Sequence, residues 1–462
     1  MSYEDFIASK MRTAPSTGFD VADADISDRL FDFQKRIVRW SMGVGRAAIW
    51  ADCGLGKSWM ALEWSRLSCR LTGMPGLILT PLAVADQFIG EHAKLGSDAP
   101  IRIISEAADV GAGINLCNYE KLHRLNPGAF GSVVLDESSI LKNHTGATRT
   151  ALIGSFSSTP MRLCCTATPS PNDVAELANH AEFLGTMRRA EMLSMFFVHD
   201  GGETQKWRLK GHAREPFWQW VCSWAVNLRT PEDIGCDGSA YQLPPLNVSE
   251  HVVETPGMAE RQGALFSLAA RSIHEQRAAR RMSLPGRVAI AADMINASSD
   301  AWVVWCDLND ESSALAKAIP DAVEVRGSQS TEDKEAAMRS FADGSARVIV
   351  TKPSIAGWGM NWQHCAHVAF VGVSHSFEAW YQAIRRTYRF GQRRPVECHI
   401  IISDADGAVI DNLRRKQRDA EALAASMAGT MGPLSAVSSA ANVAPYSPSE
   451  KMTLPAWMGG AA

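Results

Sequence analysis

Short apolar runs alternate with longer segments of helical spacing in the first part of the chain. The runs cover residues 47–50, 77–80 and 133–135, and a polar or glycine-bearing turn follows each of them. Continuous apolar runs are typical of strands that are buried on both faces of a parallel sheet. Residues 59–70, between the first two runs, have the spacing of a helix. This alternation predicts an α/β domain with a parallel sheet.

The same alternation returns in the second half, with apolar runs at 302–305, 347–351, 368–371 and 397–402. Glycine, proline and aspartate concentrate at 230–245, which ends in two adjacent prolines that break any helix. We therefore predict two α/β lobes. The predicted domains are an N-terminal segment 1–28, a first lobe 29–235, a linker with a helical segment 236–290, a second lobe 291–427 and a poorly ordered tail 428–462.

Composition narrows the classes of protein. The 462 residues carry a formal net charge of -4, so a contact with nucleic acid must come from local patches. One candidate patch is the five arginines of residues 271–287, unless they belong to a solvated linker helix. Ten cysteines without a C-x-x-C pair favour a reduced intracellular protein. Because no apolar stretch reaches about 18 residues, we expect a soluble cytoplasmic protein without a membrane partner, in the host cytoplasm if it is phage-encoded.

A glycine-rich turn stands between a predicted strand and a predicted helix. Residues 50–58 read Trp-Ala-Asp-Cys-Gly-Leu-Gly-Lys-Ser. Glycines let backbone N–H groups approach phosphate oxygens, and a helix N-terminus adds a favourable dipole. Lys57 would reach the β- and γ-phosphates and Ser58 would bind Mg²⁺, although Ala51 replaces the first glycine of the general pattern. The alternative is a chance Gly-Lys-Ser turn, but the strand–loop–helix setting favours phosphate binding.

Two carboxylates follow the apolar run at 133–135. Ligand sites of parallel sheets lie at the carboxyl ends of strands. There Asp136 would hold Mg²⁺, and Glu137 would orient and deprotonate the attacking water. The alternative is a helix N-terminus, which also favours acidic residues. The position of the pair after a phosphate loop, in the same α/β unit, favours catalysis.

An arginine-rich segment, residues 381–392, lies in the second predicted lobe. On a helix, Gln382, Arg385, Arg386 and Arg389 would share one face, because residues three and four apart are neighbours. A guanidinium suits a transferring phosphate, and from a second lobe it would reach the nucleotide only in a closed cleft. A solvated basic helix and a contact with a phosphate backbone are the alternatives.

Taken in order, these motifs resemble those of superfamily 2 helicases, in the SWI/SNF-type branch, over residues 30–423. The matching segments are Phe33-Gln34, 52–58, Thr80-Pro81, Asn118-Tyr119-Glu120, 136–143, 166–169, Leu243-Pro244-Pro245, Gly327-Ser328 with Phe341, 356–362 and 382–392. Each motif alone is a weak signal, but so many in one order are specific.

The resemblance implies two tandem RecA-like lobes, parallel sheets flanked by helices, that close on ATP and Mg²⁺ at a shared cleft. Arg386 and Arg389 would act there as arginine fingers. The residues implied in nucleotide binding are Gln34 on adenine, Gly54, Leu55, Gly56, Lys57 and Ser58 on the phosphates, and Gly359, Asn361 and Gln382 in the second lobe. The residues implied in nucleic-acid contact are Thr80, Pro81, Asn118, Tyr119, Thr166, Thr168, Gly327 and Ser354.

The activity that the resemblance implies is ATP-dependent translocation along duplex DNA without strand separation. The alternatives are an RNA helicase, and an ATP-driven motor or clamp subunit for a separate nuclease or repair complex. Three positions depart from the family pattern. Ser139 stands where the family often has histidine, Ala356 replaces a glycine, and Arg385 adds a third arginine, so the identity of the main finger stays open.

Overall fold

Two parallel β-sheets, each covered by helices, form two lobes. The computed structural model describes residues 16–81, 84–143, 146–199, 207–254, 273–356, 360–374 and 376–431. Within these residues the first sheet has seven strands and the second has six. The predicted fold class is confirmed: the chain has α/β architecture with two tandem RecA-like lobes.

The first lobe contains a parallel sheet whose central strands are completely buried. Its strands are β1 (Arg46–Ala51), β2 (Gly76–Thr80), β3 (Ile101–Ile103), β4 (Ile114–Asn118), β5 (Ser132–Asp136), β6 (Met161–Thr166), β7 (Phe197–His199), β8 (Trp207–Leu209) and β9 (Ala225–Leu228). The parallel sheet has the order β3-β4-β2-β5-β6-β1-β9, and β7 and β8 form a separate antiparallel ribbon. Every residue of β2, β5 and β6 is buried, which explains the continuous apolar runs.

Helices cover both faces of this sheet and follow its strands in sequence. They are α1 (Asp32–Val44), α2 (Lys57–Thr72), α3 (Ala85–Leu95), α4 (Ala147–Ser155), α5 (Leu177–Leu184), α6 (Arg189–Phe196) and α7 (Arg214–Cys222). The predicted helix at 59–70 is α2. It ends before Gly73, whose φ of 68° is left-handed and whose N–H donates to the carbonyl of Cys69 at 3.0 Å.

The second lobe repeats this architecture. Its strands are β10 (Leu246–Val253), β11 (Trp302–Cys306), β12 (Ala322–Glu324), β13 (Val348–Thr351), β14 (His367–Val371) and β15 (Val396–Ser403), in the sheet order β10-β15-β14-β11-β13-β12. Its helices are α8 (Ile273–Asn296), α9 (Asn309–Ala318), α10 (Thr331–Ala342), α11 (Pro353–Ala356), α12 (Phe377–Ile384) and α13 (Gly407–Met431). The four apolar runs predicted here are the strands β11, β13, β14 and β15.

The second lobe starts before the predicted boundary at residue 291. β10 pairs in parallel with β15 along its whole length. Val288 and Ile295 of α8 are buried against the same sheet. The segment 236–290, predicted to be a linker with a helical part, therefore contributes a strand and most of a helix to this lobe.

Two arginines of α8 form ion pairs in the interior of the second lobe. Nη1 of Arg287 lies 2.7 Å from Oε1 of Glu311, and both side chains are fully buried. Arg280 pairs with Asp307 at 2.7 Å and with Asp406 at 3.3 Å. A buried charge needs such a partner, because its desolvation is otherwise unfavourable. The sequence analysis left two alternatives for these arginines, a contact with nucleic-acid phosphates and a solvated linker helix. Neither holds for Arg280 and Arg287, because both side chains form ion pairs inside the second lobe.

The last helix, α13, connects the cores of both lobes. Val409 and Leu413 in its first half are buried in the core of the second lobe. Leu423 and Met427 in its second half are buried in the core of the first lobe. Because a helix is a stiff rod with a rise of about 1.5 Å per residue, this connection limits how far the lobes can separate.

The ends of the described chain lie on the first lobe. In the predicted N-terminal segment 1–28, the N–H of Phe19 donates to the carbonyl of Met42 at 2.8 Å. The predicted tail 428–462 begins inside α13, and its residues 432–462 lie outside the described part. Among the described helices, none combines the length and the apolar character that a bilayer span requires.

Truncation of Met427 should loosen α13 from the first lobe. The side chain is fully buried, and loss of such a side chain lowers the free energy of unfolding by about 2–5 kcal/mol. We expect Met427→Ala to lower the melting temperature by roughly 4 °C or more in scanning calorimetry. Arg418→Ala, at an exposed position of the same helix, is the control and should shift it by less than about 1 °C. Equal small shifts would show that α13 does not stabilise the first lobe.

Candidate functional site

The glycine-rich turn between β1 and α2 has the backbone shape of an anion-binding loop. Gly54 and Gly56 have φ values of 92° and 76°, which glycine adopts without strain. A Cβ on Gly56 would also lie 2.3 Å from Nε2 of Gln34, and one on Gly54 would lie 2.7 Å from the backbone nitrogen of Phe390. α2 begins at Lys57, so the positive end of its dipole faces the turn. This geometry suits a phosphate group.

Side chains hold this loop in shape. Nζ of Lys57 donates to the carbonyl oxygens of Ala51 at 2.8 Å and Asp52 at 3.3 Å. Nε2 of Gln34 donates to the carbonyl of Leu55 at 3.0 Å, and Gln34 is only 2% exposed. The lysine ammonium is therefore already placed over the loop, and the glutamine fixes the loop backbone.

The two acidic residues lie at the carboxyl end of β5. Oδ2 of Asp136 accepts a hydrogen bond from the Thr80 hydroxyl at 2.9 Å, and the Asp136 carbonyl accepts one from the Tyr119 hydroxyl at 2.6 Å. Glu137 has a φ of 57°, the only positive value for a non-glycine residue in the part of the chain that the structure describes. Such left-handed backbone is concentrated at functional sites, where the surroundings enforce it.

Burial raises the pKa of both carboxyl groups. For Asp136, burial is the largest cause and the neighbouring Glu137 adds to it, so the pKa rises to about 7, although Thr80, Lys57 and Arg386 act in the opposite direction. For Glu137, burial again raises the pKa, and the positive charge of Lys57 opposes it. Carboxyl groups with a raised pKa are often found at functional sites.

The arginines stand in a turn after α12, and the helix predicted to carry them is wrong beyond Ile384. In a continued helix the carbonyl of Gln382 would accept the backbone N–H of Arg386. Instead this carbonyl accepts Nε of the Arg386 guanidinium at 2.9 Å, and the backbone N–H of Arg386 donates to Ala383 at 3.2 Å. The arginine side chain thus replaces a helical hydrogen bond and turns the chain.

The same guanidinium groups are held firmly by other acceptors. Nη2 of Arg386 donates to Oε1 of Gln382 at 2.9 Å. Nη1 of Arg386 and Nη1 of Arg389 both donate to the carbonyl of Met360, at 3.2 Å and 3.3 Å. Nε2 of Gln382 lies 3.4 Å from Oε2 of Glu137. A hydrogen-bonded chain therefore runs from an arginine of the second lobe to a carboxylate of the first.

A cleft of about 490 Å³ between the lobes brings these groups together. Among the predicted site residues, those that line it are Gln34, Gly54, Gly56, Lys57, Ser58, Pro81, Asp136 and Glu137 of the first lobe and Asn361, Arg386 and Arg389 of the second. Gly359 lies outside the described residues. The volume is in the range of nucleotide-sized sites. The oxygen atoms of Ser58 and Asp136 are the ligand type that Mg²⁺ prefers, so the residues present fit Mg²⁺ with a nucleotide.

The comparison with protein families concerns the second lobe. Residues 287–391 match the family model described as "Helicase conserved C-terminal domain". The second lobe is therefore similar to a helicase C-terminal domain. This match confirms the resemblance to superfamily 2 helicases. A solved structure similar to this chain is the Sulfolobus solfataricus SWI2/SNF2 ATPase core in complex with dsDNA, with 17% identity, a TM-score of 0.43, and coverage of 89% of this chain and 96% of that chain. No curated protein was found to match the chain.

Three side chains that the helicase motifs assign to nucleic acid are buried around the acidic pair instead. Thr80 and Thr166 are fully buried, and Tyr119 is 8% exposed. Thr80 and Tyr119 bond to Asp136 as described above, and the Thr166 hydroxyl lies 3.4 Å from Oε2 of Glu137. In this arrangement these side chains position the carboxylates, and their contact with nucleic acid stays a prediction.

The other residues assigned to nucleic acid are placed differently. Pro81 lines the cleft, and Asn118 caps the short 3₁₀ helix that follows it. Thr168 is 5% exposed. Gly327 and Ser354 are exposed on the helicase C-terminal domain. Their contact with nucleic acid stays a prediction.

Contacts between the lobes that the motifs did not predict centre on Asp52. Its Oδ2 lies 2.8 Å from Nη2 of Arg385, and the two side chains are 16% and 15% exposed. The Tyr381 hydroxyl donates to the same carboxylate. We call Asp52, Arg385 and Tyr381 the interlobe latch. A second ion pair joins Lys142, after the acidic pair, to Glu378 of α12. Asp52 and Lys142 lie within recognised motifs, but their partners are up to 333 residues away.

Replacement of Asp136 by asparagine should stabilise the protein. The folded pKa of about 7 lies above the ordinary value of 3.8. The folded state therefore binds more protons between these values, and its stability falls as the pH rises through this window. Asparagine keeps an acceptor for Thr80 and carries no charge. We expect Asp136→Asn to raise the melting temperature by about 2 °C or more near pH 8 and by less near pH 5.

The measurement is scanning calorimetry without nucleotide. The control is Asp28→Asn, because the side chain of Asp28 is 99% exposed, and it should give no gain at either pH. A lower melting temperature of Asp136→Asn near pH 8 would contradict the raised pKa.

Loss of the latch carboxylate should open the cleft. Asp52→Asn leaves the largely buried Arg385 without its counter-charge, which lowers the free energy of unfolding by about 1–3 kcal/mol. We expect a larger radius of gyration in solution scattering and a lower melting temperature. Asp411→Asn, at a side chain that is 78% exposed, should change neither quantity. An unchanged radius in Asp52→Asn would show that the latch does not hold the lobes together.

Proposed function

We propose that the protein is an ATP-dependent DNA translocase of the SWI/SNF type. One observation carries the proposal: Lys57, Asp136 and Glu137 of the first lobe line the same cleft as Arg386 and Arg389 of the helicase C-terminal domain. Phosphoryl transfer requires this set, namely a lysine for phosphate, carboxylates for the metal ion and for water, and guanidinium groups for the charge that develops on the transferred group.

ATP would bind with its phosphates on the glycine-rich turn. Backbone N–H groups of the turn and of the first turn of α2 would donate to phosphate oxygens. Lys57 would exchange its two carbonyl acceptors for oxygens of the β- and γ-phosphates. Ser58 and Asp136 would hold Mg²⁺, which supplies neutralisation of the phosphate charge when it is bound. Gln34, whose Nε2 donates to the carbonyl of Leu55 in the loop, would contact the adenine base of the ATP.

Glu137 would orient the attacking water and take up its proton. Gln382 lies between Glu137 and Arg386, with contacts of 3.4 Å and 2.9 Å. The base and the finger therefore belong to one hydrogen-bonded chain that exists only when the lobes are closed. Such a finger contributes roughly 10³–10⁵ in rate in related chemistry. Hydrolysis would thus be confined to the closed cleft.

Movement on nucleic acid would follow from loss of the γ-phosphate. Without its charge the arginines have less to bind, so the cleft opens and the lobes shift along a nucleic-acid backbone that lies across both. We propose duplex DNA because the ordered motifs resemble the SWI/SNF-type branch. A separate nuclease or repair protein is a further proposed partner.

Two substitutions should abolish ATP turnover. Lys57→Ala removes the phosphate ligand and Glu137→Gln removes the base, and each should lower DNA-stimulated turnover by at least about 10²-fold. Duplex DNA should raise the turnover of the unaltered protein several-fold. The assay is steady-state phosphate release with duplex, single-stranded and forked DNA and with RNA, together with third-strand displacement from a DNA triplex as a readout of translocation.

Lys317→Ala, at an exposed position on α9, is the matched control and should behave like the unaltered protein. Stronger activation by RNA than by duplex DNA would favour an RNA helicase. Turnover that no nucleic acid changes would refute the motor function.

A further inference from the structure

A second pocket between the lobes lies against the interlobe latch. Its volume is about 150 Å³, and all three latch residues line it. Apart from Arg385, its described lining residues differ from those of the nucleotide cleft. We call it the latch pocket. An apolar cavity of similar volume admits a molecule of the size of benzene, so the latch pocket has room for one aromatic ring.

Three parts of the chain build the latch pocket. The first lobe contributes the loop after β6 at 167–171 and the end of β9 at 227–229. The second lobe contributes Leu246 and α12, and α13 contributes residues between 417 and 424, where it passes from one hydrophobic core to the other. Because both lobes and this helix are needed, the shape of the pocket depends on the present arrangement of the lobes.

One face of α12 gives the latch pocket an aromatic wall. Phe377, Trp380 and Tyr381 are three and four residues apart, so they lie on the same face of the helix. The ring centroid of Phe377 lies 6.0 Å from that of Trp380 and 5.7 Å from that of Tyr381. All three residues line the pocket. A ligand with an aromatic ring would gain both burial and ring contacts there.

The charges on the lining of the latch pocket balance each other. Its acidic residues are Asp52 and Glu421, and its basic residues are Arg229 and Arg385. Asp52 and Arg385 already neutralise each other in the latch. A ligand with a net charge would therefore lose hydration without gaining a free counter-charge. This balance favours an uncharged ligand, in contrast to the triphosphate proposed for the nucleotide cleft.

Two lining residues of the latch pocket have unused hydrogen-bonding groups. Nε1 of Trp380 and Oγ1 of Thr168 are buried, and neither has a hydrogen-bond partner among the described residues. An indole N–H can only donate, whereas a hydroxyl can donate and accept. Because neither group has a bond to lose, a small rotation toward the pocket would gain one from a ligand. The indole calls for a ligand with an acceptor.

We propose that the latch pocket binds a small uncharged aromatic molecule that has one ring and a carbonyl or hydroxyl acceptor. The ring would pack on the aromatic wall of α12, and the acceptor would take the indole N–H of Trp380. This binding is independent of the proposed function, because no lining group is required to hold a nucleotide or DNA.

Occupation of the latch pocket would slow the motor. A ligand favours the arrangement of the protein to which it binds best, and this pocket is formed by both lobes together. A motor whose lobes must shift in each cycle would then leave that arrangement less often. This effect on turnover, unlike the binding, rests on the proposed function.

The binding test is a fluorine NMR titration of the full chain with 4-fluorobenzamide, which is uncharged and carries a carbonyl acceptor. For a ligand of this size we expect a Kd of about 1 mM or lower. Fluorobenzene lacks the acceptor and should bind roughly three- to tenfold more weakly. The anion 4-fluorobenzoate should bind at least about tenfold more weakly, because the pocket offers it no free counter-charge.

Two variants locate the ligand. Ala420→Phe fills the pocket from α13 and should weaken binding of 4-fluorobenzamide at least about tenfold. Ala336→Phe, at an exposed position of α10, is the matched control and should change it by less than about twofold. Trp380→Phe keeps an apolar ring without the N–H. It should lower the affinity for 4-fluorobenzamide to that for fluorobenzene, and it keeps the test valid if Ala420→Phe folds poorly.

Saturation with ATP in a Glu137→Gln background should change binding of 4-fluorobenzamide by less than about twofold. Displacement by ATP would place the compound in the nucleotide cleft and overturn the inference. Equal binding to the unaltered protein and to Ala420→Phe, or equal binding of 4-fluorobenzamide and 4-fluorobenzoate, would overturn it as well.

The turnover test separates this inference from the proposed function. Saturating 4-fluorobenzamide should lower kcat of DNA-stimulated turnover at least about twofold without raising KM for ATP, and it should have no effect on Ala420→Phe. Binding in the latch pocket with unchanged kcat would overturn the control of the motor. Binding there together with turnover that DNA does not stimulate would support the pocket and refute the translocase.

Discussion

Burial of two adjacent carboxylates between the lobes is the constraint on which the rest of this structure depends. Burial opposes the charge of Asp136 and of Glu137, and an uncompensated carboxylate in such surroundings is strongly unfavourable. Positive charge from Lys57 of the first lobe and from Arg386 of the second offsets it. Both lobes therefore contribute positive charge that partly compensates the acidic pair.

Contacts away from the carboxylates also keep the lobes aligned. The interlobe latch joins the glycine-rich turn to α12 through Tyr381 and to the turn after α12 through Arg385. α13 has residues in both hydrophobic cores, so it restricts the separation of the lobes. One connection is electrostatic and local, and the other is apolar and spans the molecule.

Contacts of Glu137 link the cleft to the motifs further along the first lobe. Glu137 contacts Gln382 on one side and Thr166 on the other. Thr166 accepts the backbone N–H of Thr168 at 3.1 Å, so a displacement of the carboxylate reaches the loop after β6. This is a contiguous series of contacts between the carboxylate of Glu137 and the loop after β6.

The sequence by itself determined the local elements and the chemistry attached to them. Continuous apolar runs predicted the buried strands. The glycine-rich turn and the acidic pair were recognisable in the sequence because each lies directly at the end of a predicted strand. Only the tertiary structure decided the partners: Arg385 for Asp52, β15 for β10, Glu311 for Arg287, and a helix that stops at Ile384. The physical reason is that a local pattern records that a residue is buried or charged, whereas its partner is set by packing across hundreds of residues, which no local period encodes.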